Sequence, residues 1–230
     1  MIFRSRRLKF IFGLLLKLTA ICFFFRLLFL LSFFHAMTGT LDEMIRALWI
    51  GLRFDLRLGV LVTIPIVLAF LIPLLNPLRV GYLQKLSQIY LGIAVGCMVF
   101  FYGFDMGNYS YLGHRIDVST LRLLENPFIA LGMAWESYPV VWILLGLIIT
   151  ITGILRWLQI GYGHLNRRPR VMRKRQKILG ACFGGLVILF SYWGTFRQYP
   201  LLWSDAHFSK DPFIVAVALN PILYLSLIHI

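Results

Sequence analysis

The chain has 230 residues, 60% hydrophobic and 14% charged, with a formal net charge of +14 and a mean hydropathy of +0.81. Ordinary globular domains are about 45–50% apolar and about 25% charged, so a soluble single-core fold is excluded and a polytopic membrane protein is indicated. The positive charge falls in loops between apolar runs, which excludes the spread basic surface of a nucleic-acid-binding protein.

Residues 1–9 carry Arg4, Arg6, Arg7 and Lys9 ahead of an apolar run over 10–34. That run exceeds the apolar region of a secretory signal, roughly 7–15 residues, and has no small-residue cleavage site. It predicts an uncleaved first membrane helix starting in the cytoplasm. Arg26 falls well inside it, where a charge either serves function, snorkels to a headgroup or pairs with another helix. Thr40 and Glu43 have the spacing of a capping box. The apolar residues Leu41, Met44, Ile45, Leu48, Trp49 and Leu52 then share one helical face, predicting an amphipathic helix in the outer interface.

Arg46, Arg53 and Arg57 form a second stripe on that helix, with Asp55 between the last two. Guanidiniums pair with phosphate in a bidentate fashion, so these four residues are the candidate lipid-headgroup site. The competing reading, a solvated polar face with a local Asp42–Arg46 pair, stays open.

Residues 59–75 predict a second span returning to the cytoplasm and 89–104 a third. Outside, Asn126 and Pro127 suit a helix start, with Phe128, Leu131 and Trp135 on one face of a second interfacial helix. His114, Arg115 and Asp117 read as solvated charges. Residues 140–158 predict the fourth span and 178–194 the fifth, with Gly180, Gly184 and Gly185 allowing close packing. Between them lies the basic run 166–177. Lys and Arg are retained on the cytoplasmic side. With that run inside, the inside loops hold four, two and eight Lys/Arg and the outside segments seven. All nine acids then lie outside, none within a span core, which speaks against a proton-coupled transporter.

Cys22, Cys97 and Cys182 each fall in an apolar run. An odd number without CxxC spacing indicates neither a disulfide framework nor a zinc site, leaving three small buried hydrophobes. The histidines have no metal-ligand spacing. Ser204, Asp205 and His207 are too close in sequence for a hydrolase triad, which draws on separated positions. In the tail, Asp211 and Pro212 suit a helix start, and Asn220-Pro221 a break. The expected element is a short amphipathic connector leaving the membrane.

Tyr199-Pro200-Leu201, Trp203-Ser204-Asp205-Ala206 and Phe208-Ser209, followed by Ala218-Leu219-Asn220-Pro221, resemble the connector after the last membrane helix of lipoteichoic acid synthase-like, sulfatase-fold proteins. Gly51-Leu52-Arg53-Phe54-Asp55-Leu56-Arg57 is similar to that family's stretch before its second helix. The resemblance implies that Trp203, Ser204, Asp205 and Asn220 belong to a connector motif. It also implies an extracytoplasmic catalytic domain beyond it, which uses a divalent metal and a threonine. Such a domain moves phosphoglycerol or phosphoethanolamine from a phospholipid to an envelope glycan or lipid. Some relatives instead bind lipid and regulate envelope synthesis. No position here matches the catalytic threonine or its metal ligands.

The expected organisation is therefore all-α: a five-helix membrane domain over 1–195 and an extracytoplasmic connector over 196–224, with the catalytic domain absent. Residues 225–230 read as a sequencing adapter translated in frame. No cofactor is expected in this part of the chain. The expected partners are membrane phospholipid and the chain's own missing domain, and the expected location is a bacterial plasma (inner) membrane.

Overall fold

The computed structural model describes residues 6–72, 81–117, 140–165, 174–195 and 199–227, with Phe128, Gly132, Trp135 and Glu136. Among them every regular element is helical. Seven α-helices follow in order: α1 Arg6–Ser32, α2 Leu41–Leu71, α3 Gly81–Leu112, α4 Val140–Leu165, α5 Lys174–Trp193, α6 Pro212–Ala218 and α7 Pro221–Leu227. Single 3-10 turns at Phe34–Ala36 and Trp203–Ala206 link α1 to α2 and precede α6. Asn126, Pro127 and Leu131 of the second expected interfacial helix lie outside the described residues, as does 166–173 of the basic run.

Among the described residues, three helices are long and apolar enough to cross a membrane: Leu8–Ser32, Gly81–Leu112 and Val140–Gln159. The apolar part of α5, Cys182–Trp193, is shorter. The interfacial helix and second span expected from the sequence are one continuous helix, the 31-residue α2. Its start follows the capping box: Glu43 N–H donates to Thr40 Oγ1 at 3.3 Å and Thr40 N–H to Glu43 Oε2 at 3.1 Å. Pro65 lies inside α2, where it has no N–H to donate to the preceding turn. Bundled membrane helices tolerate such a gap.

The face α2 buries is not its most apolar one. Met44, Ala47, Gly51, Phe54 and Leu58 point inward, whereas Leu41, Ile45 and Trp49 are exposed. Spacings of three and four keep the inward set on one stripe, and its small members let α1 approach. A Cβ on Gly51 would run into the guanidinium of Arg26. α1 contributes Leu18, Cys22, Phe25 and Phe29 to the core. Phe25 stacks on Tyr102 of α3, centroids 5.1 Å apart at 13°. Lys17 Nζ donates to the Trp157 carbonyl at 2.8 Å, joining α1 to α4. Cys22 is buried as expected, but Cys97 and Cys182 are exposed.

The tail departs most from expectation. Instead of leaving the bundle, it packs into it. Phe213, Ile214, Val217 and Ala218 of α6 are fully buried among α1, α2 and α3. Phe29 of α1 lies 4.7 Å from Tyr109 and 6.1 Å from Phe213, centroid to centroid. The local signals were sound: Asp211 caps α6, accepting from Phe213 N–H at 2.8 Å, and Pro212 takes the first turn. The same Asp211 also accepts from the N–H groups of Thr38 and Gly39, 2.7 Å each, tying α6 to the loop before α2.

Candidate functional site

The polar assemblies on this scaffold are of two kinds, enclosed and open. The first enclosed one surrounds Arg26. Its Nε donates to Asp55 Oδ2 at 3.0 Å and its Nη2 to Asp55 Oδ1 at 2.6 Å, a bidentate pair between α1 and α2. Nη2 also donates to the Gly51 carbonyl at 3.0 Å, and Nη1 to the carbonyls of Leu219, at 3.0 Å, and Val217. Asn220 completes the set, its Nδ2 donating to Asp55 Oδ1 at 2.9 Å and to the Tyr102 hydroxyl at 2.8 Å. Asn220 Oδ1 accepts from the N–H groups of Ile222 and Leu223, capping α7.

A second enclosed pair joins Arg115, just past the end of α3, to Asp105 within it. Arg115 Nε donates to the Ala216 carbonyl at 2.8 Å, and its guanidinium lies 4.0 Å over the Phe29 ring. Ile116 N–H donates to Asp105 Oδ1 at 3.1 Å. The reason both arginines point at α6 is local. A helix leaves its last carbonyls without intrahelical donors, and cations favour that end. Pro221 has no N–H, so the Val217 carbonyl four residues earlier lacks its usual partner. Arg26 and Arg115 supply those donors. Every buried side-chain polar atom among the described residues has a partner.

These pairs correct three readings. Asp105 lies inside α3, not in an outer loop, and Asp55 lies within the continuous α2. Arg115 is buried and paired, not solvated. Of the readings of Arg26, pairing with another helix is the one realised. Asp55, grouped with the headgroup candidates, is fully enclosed, with both oxygens taken by Arg26 and Asn220.

The open assembly is a cleft of about 310 Å³ lined by Arg46, Trp49, Ile50, Arg53, Thr195, Leu201 and Asp205. One wall is α2. Arg46 is exposed and Arg53 half-exposed. Their guanidiniums lie over aromatic rings, Arg53 at 5.1 Å from Trp49 and Arg46 at 4.6 Å from Phe208. The other wall is the chain after α5. Its turn is closed by Leu201 N–H donating to the Trp193 carbonyl at 3.0 Å and Thr195 Oγ1 to the Tyr199 carbonyl at 2.8 Å. Gly194 has φ +73° there, with Leu201 at its back. Asp205 Oδ2 accepts from Leu202 N–H at 2.9 Å, fixing the 3-10 turn that carries Trp203 and Ser204. Two guanidiniums on one wall can receive an anion, and the flanking Trp49 suits an interfacial depth.

Arg57, third on the sequence's stripe, is absent from this lining. It is buried, its Nε donating to the Tyr192 carbonyl at 2.8 Å and its Nη1 to the Leu201 carbonyl at 2.7 Å. Of the candidate residues, the structure thus brings together Arg46, Arg53 and Asp205, and places Asp55, Arg57 and Asn220 in supporting contacts. His207 Nδ1 faces the Trp203 carbonyl at 3.3 Å, a local contact unlike a triad. Thr195 and Leu201 were missed from the sequence because only the turn after α5 carries them to α2. Among the described residues no cluster of His, Cys, Asp and Glu could hold a metal ion. No family model, curated protein or solved structure matches the chain.

Proposed function

We propose that this chain is the membrane domain of a sulfatase-fold envelope transferase and that its open cleft holds the phosphate of an anionic phospholipid headgroup. In this reading α2 and α5 cross the bilayer as well, giving five crossings with a cytoplasmic amino end and an extracytoplasmic carboxyl end in a bacterial plasma membrane. α2 is about 46 Å long at 1.5 Å per residue, against a hydrocarbon core of roughly 30 Å. Its first turns, with Arg46 and Arg53, then stand at headgroup level. Of the motif residues, Asp205 lines the cleft on its other side. A metal-dependent catalytic domain beyond residue 224 would take the phosphoglycerol or phosphoethanolamine group from a lipid held there.

The observation that carries the reading is the pair of guanidiniums, Arg46 and Arg53, on one wall of an open cleft beside Trp49. The doubly substituted Arg46→Gln/Arg53→Gln chain, in zwitterionic nanodiscs, should bind a short-chain phosphatidylglycerol at least roughly tenfold more weakly, since a charge-assisted hydrogen bond contributes about 1.5–3 kcal/mol. Unchanged affinity would remove the headgroup site. A non-catalytic lipid-binding regulator would share this binding and differ only in the domain attached to the tail.

A further inference from the structure

We infer that Arg57 is a positioning residue that sets the far wall of the cleft and makes no contact with its ligand. The inference rests on the headgroup reading of the cleft. The sequence groups Arg57 with Arg46 and Arg53, but one helical stripe does not guarantee one environment. Arg57 lies deeper in α2, 8% exposed, and uses two of its nitrogens on two backbone carbonyls.

Those carbonyls are well placed to matter. Tyr192 belongs to the last turn of α5, where carbonyls lack intrahelical donors. Leu201 is itself a lining residue of the cleft. Between them runs the turn that holds Thr195, also a lining residue. The guanidinium therefore ties the end of α5 to Leu201 with a rigid fork, its Cζ 5.3 Å from the Tyr192 ring centre. Four residues past Leu201, Asp205 reaches the same cleft. The separation between α2 and this wall, and so the fit around a headgroup, depends on Arg57.

A point charge cannot replace the fork. Lysine carries its donors on a single nitrogen and cannot span two carbonyls with a guanidinium's planar geometry. This separates a positioning role from a ligand role. If Arg57 only supplied charge to a phosphate, Arg57→Lys would keep most of the affinity. A residue touching the anion also contributes to the salt dependence of binding, and its loss flattens that dependence. A change to the wall that leaves the net charge alone lowers affinity by the same factor at every ionic strength.

The experiment uses the full chain in zwitterionic nanodiscs, titrated with short-chain phosphatidylglycerol and, separately, inorganic phosphate, over a range of salt. Helix content is followed by circular dichroism. Arg57→Lys, which keeps the charge, should weaken lipid binding roughly tenfold, the scale of losing a charge-assisted hydrogen bond, with the salt slope of the unsubstituted chain, and Arg57→Gln should weaken it no less. Arg53→Gln should weaken binding and flatten the slope. Gly194→Ala, which alters no charge but presses a Cβ within 3.1 Å of Leu201, should mimic Arg57→Gln. It keeps the test alive should the arginine variants lose helix. Affinity retained in Arg57→Lys or in Gly194→Ala overturns the inference and leaves the headgroup site standing. Failure of the unsubstituted chain to bind either probe overturns the headgroup site and this inference with it. Tighter binding of phosphate than of lipid overturns the lipid assignment while Arg57 keeps its role.

Discussion

Arg26 is a charge that α1 carries on behalf of two other segments. Its carboxylate partner is 29 residues away and its carbonyl partners in the tail are more than 190 away. From the sequence, an intramembrane arginine is visible and its need for a partner comes from electrostatics, but nothing local names Asp55 or Leu219. Enclosing such a pair is costly, and removing one member costs more than removing both. Asp55→Leu should therefore destabilise the bundle by about 3–5 kcal/mol, read as a lowered midpoint in detergent unfolding followed by circular dichroism. Arg26→Met/Asp55→Leu should regain part of that loss. It will not regain all, because the Leu219 and Gly51 carbonyls lose their donor and the Asn220 amide loses one acceptor. A double variant no more stable than Asp55→Leu alone would show that the charge pairing contributes little.

Signals written within a few residues proved reliable at the level of single elements. The Thr40–Glu43 capping box, the Asp211-Pro212 start of α6 and the break at Asn220-Pro221 are all realised, because each depends on groups at most four positions apart. The boundary between an interfacial helix and a second span was misplaced for the opposite reason. Charges at Arg53, Asp55 and Arg57 look like the end of an apolar segment, yet tertiary partners absorb two of them and α2 runs on. Asp211 offers a test of how α6 is held. Its burial opposes ionisation, but the N–H groups of Thr38, Phe213 and Gly39 outweigh that and hold the carboxyl below its ordinary value. A carboxylate depressed in the folded state stabilises above its unfolded pKa, about 3.9, and that stabilisation is lost as pH falls through the folded value. Amide protection in α6, measured by hydrogen exchange relative to α4, should stay level from neutrality to about pH 4 and drop below it. In Asp211→Asn, which cannot titrate, the acid-dependent drop should vanish; its persistence would place the acid sensitivity elsewhere.

For the molecule as a whole, hydropathy was enough to anticipate an all-helical chain, among the described residues, with helices apolar enough to cross a membrane. It was not enough to anticipate a tail folded back among α1, α2 and α3, since α6 and α7 are short and their burial depends on a socket built by distant helices. The docked tail also sharpens the topology proposed above. Under the proposed five crossings, α6 and α7 would lie at the outer end of the bundle. Alkaline phosphatase fused after Leu227 should be active, and green fluorescent protein fused there should be dark. Bright cytosolic fluorescence would refute five crossings and the family reading together.

The distance along the chain between Arg26 and its tail partners has a consequence for biosynthesis. Chains elongate at roughly 5–20 residues per second, so the acceptors at Val217 and Leu219 are made about 10–40 s after the guanidinium they complete. For most of that interval the guanidinium has Asp55 and the Gly51 carbonyl of α2 as partners and lacks its tail acceptors. Synthesis of Val217 and Leu219 is the event that completes its set.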